Sequence, residues 1–452
     1  MIQQASRNKN RLHRGLLALF VVIGAAGDGL VNRAWAMPPI EGEPIEYGSR
    51  ELHDPISLLQ KKIDGGEVTL DFDEDHGYLP SVLDQLDVPV SSQVLVFSKT
   101  SFQRPRISAK WPRAIYFSED VYIGWVQRGR VVEVSSVDPE QGAIFYSLEQ
   151  TKSDAPRFTR HTDRCLLCHS SSQTKSVPGH LVRSVYPDAG GFPMLASGTF
   201  RTDHRSPLKE RWGGWYVTGT HGSQTHMGNV YVRDKSDAEN LDREAGANIT
   251  DLSDRFDTSP YMSAHSDIVA LMVMEHQTQM HNLITHANYQ GRFALRDEAV
   301  INKMLERPAD HRSPSTRRRF DSAAHRLVKY MLFVDEARLT DPVRGTSGFA
   351  RQFAQQGLRD GRGRSLREFD LESRLFKYPC SYLIHSAAFE KLPEPVKASV
   401  YRRLWEVLTG QFNDEDGDYS HLSETDRRAI LEILGETKTG LPEYWNEGAT
   451  GQ

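Results

Sequence analysis

The stretch that most constrains this chain is Cys165-Leu166-Leu167-Cys168-His169. Two thiols three positions apart can reach one flat ligand, and the next residue sets an imidazole beside both. C-x-x-C-H is the attachment signature of c-type haem: the thiols add to the two porphyrin vinyl groups, and the histidine nitrogen stands beneath the iron. The 452 residues include only three cysteines, and two of them lie in this pentapeptide. Other uses of the pair stay open at this level. A thioredoxin-like pair belongs beside a βαβ pattern in a cytosolic chain, and neither is visible. Zinc would need further ligands, which His221 and His226 could supply at their H-x4-H spacing. A plain disulfide or free thiols complete the alternatives. Cys380 is left without a partner in an apolar, aromatic stretch, the setting of a buried inert thiol.

Residues 1–36 read as a secretory signal peptide. A basic stretch ends at Arg14, an apolar run spans Gly15 to Ala26, and Ala34-Trp35-Ala36 offers a small-residue cleavage site. An uncleaved N-terminal anchor is the competing reading. No later stretch is apolar enough to form a transmembrane segment of about twenty residues. The chain carries a net charge of −5, and the first 36 residues contribute +4, so the remainder carries −9. Such an acidic chain argues against nucleic acid as a partner.

The pattern predicts an α+β fold with a β-rich N-terminal part at 37–155, a central haem c segment at 156–235 and a mostly helical half at 236–452. Asp54-Pro55 opens a short helix that Gly65-Gly66 closes. Between about 93 and 150 the apolar period is two, and β-branched and aromatic runs alternate with turns at Arg128-Gly129 and Asp138-Pro139. An antiparallel meander is the expected result. Trp212 to Val232 reads as strand, glycine-flanked loop, strand. Helical spacing begins at Ile268 and runs to Asn288 with Ser266 as the expected N-cap. Further helices start at Ser313-Pro314, Glu394-Pro395 and Ser423. The basic run Arg317-Arg318-Arg319 reads as solvated or salt-bridged.

The motif resembles that of c-type cytochromes, and the order of signal, β-rich part, C-x-x-C-H and helical tail is similar to large exported bacterial proteins with a cytochrome c domain. The resemblance implies one covalent haem c, Cys165 and Cys168 as the thioether residues, His169 as the proximal iron ligand, and a periplasmic or otherwise exported location. The chain departs from small cytochromes c in one respect: Pro156-Arg157-Phe158-Thr159-Arg160 is a poor lead-in helix. The distal ligand governs function, because a strong sixth ligand favours electron transfer and an open position admits small molecules. Met227 is the first candidate, with His226, His221, His180 and Met194 behind it. His276 and Met280, four apart on one helix face, are a distant alternative that core packing explains better. Trp212, Trp215 and Arg183 are candidate neighbours of the porphyrin and its propionates.

These features together lead to a mono-haem c-type cytochrome that transfers single electrons, with a redox partner protein or a small-molecule electron donor or acceptor. Carrying one haem takes on the order of 100 residues, and this chain has about four times that. The surplus keeps a second expectation alive, a haem-dependent oxidoreductase of peroxidase or oxidase type. The third is a secreted non-haem protein with a zinc or disulfide C-x-x-C.

Overall fold

Caps and turns set the element boundaries over residues 40–445, the part of the chain that the computed structural model describes. The signal-like stretch 1–36 lies outside these residues. Helix α1 (Pro55–Asp64) starts where expected: the Asp54 carboxylate accepts the N–H groups of Ile56 and Ser57 at 3.0 and 3.3 Å. This carboxylate is fully buried and also accepts a hydrogen bond from the Tyr146 hydroxyl at 2.8 Å, so the cap ties α1 to the sheet. A second short helix, α2 (Leu79–Gln85), comes next.

The meander forms as the period-two runs predict. Strands β1 (Val94–Val96), β2 (Arg113–Phe117), β3 (Val121–Trp125), β4 (Val131–Asp138) and β5 (Gly142–Glu149) pair antiparallel in sequence order. The longest pairing, β4 with β5, closes at Asp138 opposite Gly142, at the Asp138-Pro139 turn. Phe158-Thr159-Arg160 adds strand β6 beside β5, so the lead-in to the cysteines is extended, not helical. Beyond α3 (Leu166–His169) come the small pair β7 (Arg183–Val185) and β8 (Thr199–Arg201), and then β9 (Trp215–Tyr216), which pairs with β1 at the opposite edge. The sheet order is β6-β5-β4-β3-β2-β1-β9. The central segment therefore completes the sheet that the N-terminal part begins. The second strand expected at Gly228–Val232 does not form; Val232 makes only an isolated bridge to Asp188.

Across this sheet lies the longest helix, α4 (Ile268–Met304), preceded by the short strand β10 (Gly219–Thr220). Its N-cap is Asp267 and not Ser266. The Asp267 carboxylate accepts from Val269 and Ala270, while the Ser266 hydroxyl is engaged in the sheet, donating to Tyr216 and accepting from Leu95. The helix continues well past Asn288 because no proline or cap interrupts it. Gly291 lies inside it, and a Cβ there would come within 2.9 Å of Pro393 and 2.7 Å of Val396, so its absence lets a neighbouring helix approach. The rest of the helical half comprises α5 (Pro314–Met331), β11 (Arg344–Gly345) paired with β10, α6 (Phe349–Gln355), α7 (Ala387–Glu390), α8 (Glu394–Leu408) and α9 (Glu424–Thr437). The stripe Phe320, Ala324, Leu327, Met331 of α5 is buried as its spacing predicts, and Arg319 pairs with Asp297 at 2.9 Å. Helix α9 opens with a Ser423–Asp426 capping box and passes Gly435 by two residues.

The fold class is α+β, with an antiparallel sheet in the N-terminal half and helices in the C-terminal half. No described helix is long and apolar enough to cross a membrane. Helix α4 is unusual for its polar interior. Ile268 to Thr285 is buried on every side, and that stretch includes Glu275, His276, Gln277, Gln279, His281 and Asn282. Buried polar side chains are costly unless partnered, so most of these groups reach out to other elements.

Candidate functional site

A single helical turn, α3, explains the spacing of the motif. His169 donates its backbone N–H to the carbonyl of Cys165 at 3.0 Å, so positions 165, 168 and 169 lie on one face at i, i+3 and i+4. Leu167, off that face, is 82% exposed. The loop after the turn folds back on it. The Gly179 N–H donates to the His169 carbonyl at 2.8 Å, and the His169 Nδ1–H donates to the Gly179 carbonyl at 2.8 Å. A carbonyl only accepts, so the proton is on Nδ1 and the Nε2 lone pair stays free. Loss of solvent around the ring lowers the His169 pKa and keeps the imidazole neutral.

The segment carrying Gly179 is itself held. Thr174, fully buried, donates its hydroxyl proton to the Val177 carbonyl at 2.7 Å, and its oxygen lies 3.2 and 3.1 Å from the carbonyls of His169 and Ser171. From α4, Asn282 accepts the His180 N–H at 2.9 Å and donates to the His180 carbonyl at 2.8 Å. A Cβ on Gly179 would meet the Asn282 Oδ1 at 2.1 Å, so only glycine fits between the amide and the loop.

Both cysteines, His169 and His180 line a cavity of about 790 Å³, within the range of about 300–1,000 Å³ typical of small-molecule and cofactor sites. Its walls come from the sheet (Ile115, Tyr122, Ser135, Phe145), from Trp215, and from Met274 and Thr278 on α4. The Phe145 ring lies 4.8 Å from that of His169 and 6.0 Å from that of His180; Tyr122 packs 4.3 Å from His180. Ser135 donates to the Ile144 carbonyl at 3.0 Å and contacts the His180 Nε2 at 2.7 Å, which assigns the His180 proton to Nε2 and leaves its buried Nδ1 without a partner. Burial keeps this ring neutral, well below the usual histidine pKa. The cationic groups on the cavity are Lys99, Arg104, Arg113 and Arg164, against the carboxylates Glu133 and Asp163; among the described residues only Arg113 of the four is ion-paired, to Glu133 at 2.6 Å. Four cations against two carboxylates leave an excess of positive charge that would suit an acidic, largely planar ligand such as a porphyrin bearing propionates.

The other residues singled out in the sequence divide between this cavity and separate cores. Trp215 lines the cavity, and its indole N–H donates to the Arg183 carbonyl at 2.8 Å. Arg183 contributes through that backbone carbonyl; its guanidinium turns away to Thr199 at 3.2 Å. Met227 does not line the cavity. It is fully buried in a satellite core with Tyr186, Val230 and Leu241, its sulfur facing the Ser184 hydroxyl at 3.6 Å. Met194 packs against the same cluster. His226 and His221 also lie elsewhere, 4.8 Å apart, and each has a ring nitrogen occupied by a backbone N–H. Gly228 donates to the His226 Nδ1 and Asn248 to the His221 Nε2, both at 3.0 Å. Trp212 is buried against the His226 ring. His276 contacts His204 at 2.9 Å and Ser381 at 2.8 Å, and Met280 belongs to the main core. Of the expected distal ligands only His180 reaches the cavity.

Among the described residues no group of three or more His, Cys, Asp or Glu side chains is arranged to hold a metal ion. Burial pushes the Cys165 thiol up to about 11, opposite to the depressed pKa of a redox-active pair. Cys380 is fully buried and its thiol is pushed up to about 12, as expected of an inert packing residue. What the sequence did not reveal is the second wall, Met274 and Thr278, and the brace behind it, Asn282; all three stand more than a hundred residues from the motif, and the one available signal was the run of polar residues inside an apolar helix. No protein-family model matches the chain, and neither a curated protein nor a solved structure matches it.

Proposed function

We propose that this chain is an exported mono-haem c-type protein that transfers single electrons. The observation that carries the reading is the state of His169: its Nδ1 is fixed by the Gly179 carbonyl, while its Nε2 is free at a cavity that both motif thiols line. An iron-ligating histidine is characteristically held through its other ring nitrogen in this way. Cys165 and Cys168 would hold the porphyrin by thioethers, His169 would ligate the iron, and Arg104 and Arg164, which have no ion pair among the described residues, would meet its propionates. When bound, the group supplies reversible one-electron chemistry. The polypeptide's contribution is to fix the imidazole, exclude water with Phe145, Tyr122 and Trp215, and surround the charge with cations.

A second reading, a haem-dependent oxidoreductase, is favoured by one observation. The methionine expected as the sixth ligand is locked in a separate core, so a strong distal ligand is not evident from that loop. His180, with a buried unpartnered Nδ1, is the group that would separate the two readings. Expression with haem-attachment machinery, then intact mass and thiol alkylation in denaturant, tests the proposal. A gain of one haem mass with a single alkylatable thiol, Cys380, supports it; an unmodified mass with three alkylatable thiols ends it. The two readings then separate on cyanide. Iron that stays six-coordinate and low-spin without binding it belongs to an electron carrier.

A further inference from the structure

Beside the large cavity lies a second recess of about 400 Å³, lined by Lys99, Arg106, Ile107, Trp111, Gln127 and Arg128 among others. Every charged group on it is a cation. Arg106 and Arg128 have neither a carboxylate nor a hydrogen-bond partner for their guanidinium groups among the described residues, and Lys99 contacts only the Arg104 carbonyl at 3.4 Å and the Phe192 ring. This is unusual in a chain with more acidic than basic residues. Like charges gathered without a counterion repel one another.

Hydrogen bonds fix the backbone segments that carry these groups. Arg128 occupies the hairpin turn between β3 and β4 with φ +56°, a left-handed conformation that glycine or asparagine adopts more readily. Gln103 ties the two rims together: its Oε1 accepts the Arg130 N–H at 3.0 Å and its Nε2 donates to the Val131 carbonyl at 3.0 Å. Trp111 is presented by a tight turn in which Ser108 and Trp111 exchange both backbone hydrogen bonds, and it is 56% exposed.

We propose that this recess binds a small planar organic anion, an aromatic carboxylate, with the carboxylate between Arg106 and Arg128 and the ring on Trp111. Arginine forks suit carboxylates, and an indole face suits an aromatic ring. Lys99 lines both cavities, so the ligand lies at the threshold of the larger one. Binding is read on the polypeptide itself and does not require haem.

The test is titration of the full mature protein with benzoate and with acetate at low salt, read by calorimetry and tryptophan fluorescence. Benzoate is expected to bind more tightly than acetate by about fivefold. Arg106→Gln/Arg128→Gln is expected to weaken benzoate by about tenfold or more. Trp111→Ala should erase the preference for benzoate and leave acetate unchanged. Arg128→Gly gives a second readout that misfolding cannot imitate: it relieves the strained turn, so the thermal midpoint should rise while benzoate binding falls. Equal affinities for the two anions, wild-type affinity in the arginine variants, or an acidic peptide binding where benzoate does not, would each overturn the proposal.

Discussion

Asn282, in the middle of the longest helix, makes two hydrogen bonds to the backbone of His180, one in each direction, at 2.9 and 2.8 Å. The residue before His180 is Gly179, whose carbonyl orients the His169 ring. The helical half of the chain therefore sets the imidazole of the C-x-x-C-H motif through one amide and one peptide carbonyl.

Removing that amide should loosen the site from a distance. Asn282→Ala strips both hydrogen bonds and leaves the buried His180 N–H and carbonyl unpaired, so unfolding free energy should fall by about 2–4 kcal/mol. Urea denaturation measures this. In haem-loaded protein the ferric spectrum should also change, since His169 loses the anchor of its Nδ1 partner; an unaltered spectrum would show that Thr174 alone suffices to hold the loop.

Gly179 and Asn282 should be coupled in a specific sense. Gly179→Ala drives a methyl into Asn282 Oδ1 and should be strongly destabilising alone. In the Asn282→Ala background that collision is gone, so the double variant should be more stable than the sum of the singles predicts, by about 1–3 kcal/mol. Additive losses would mean that the remaining neighbour, Thr174, dominates the clash.

Met227 offers a sharp contrast between sequence position and placement. Met227→Ala should cost about 2–5 kcal/mol through a cavity in the satellite core, with no change in the spectrum or potential of a bound haem. A shift to a five-coordinate spectrum would restore Met227 as a ligand and contradict its position beside Ser184.

Glu275 makes stability depend on pH. It is fully buried, and loss of solvent raises its pKa from 4.5 to about 7, with Arg211 at 3.1 Å acting in the opposite direction. A carboxyl whose pKa is higher folded than unfolded takes up a proton on folding. Its contribution is fully present below about 4.5 and is lost as pH rises through about 7. Relative to Glu275→Gln, the wild type should therefore lose on the order of 3 kcal/mol across that window, measured by urea melts of both proteins at a series of pH values. A constant difference would mean that Arg211 keeps Glu275 ionised throughout.

The features legible in the sequence share a physical cause: each is settled by residues a few positions apart. Asp54 caps α1 because its carboxylate reaches two free N–H groups of the first turn, and the meander forms because side chains at spacing two share a face. The turn carrying Cys165, Cys168 and His169 is equally local. Met227 shows the limit, because glycines on both sides of a loop permit close approach to a ligand and permit dense packing against Tyr186 alike. Ser266 shows it more finely: serine and aspartate at adjacent positions are both good caps, and the sheet's demand on the Ser266 hydroxyl leaves the role to Asp267.

By itself the sequence determined the C-x-x-C-H spacing, the period-two meander with its Asp138-Pro139 turn, and the starts of α1, α5 and α9. Only the tertiary structure decided that Asn282 steadies the motif's histidine, that His180 and not Met227 reaches the cavity, and that Arg106, Trp111 and Arg128 share a recess. Local backbone geometry is written in short-range steric and hydrogen-bonding preferences, whereas a cavity wall is assembled from segments over a hundred residues apart, whose meeting depends on how sheet and helix bury their faces against each other.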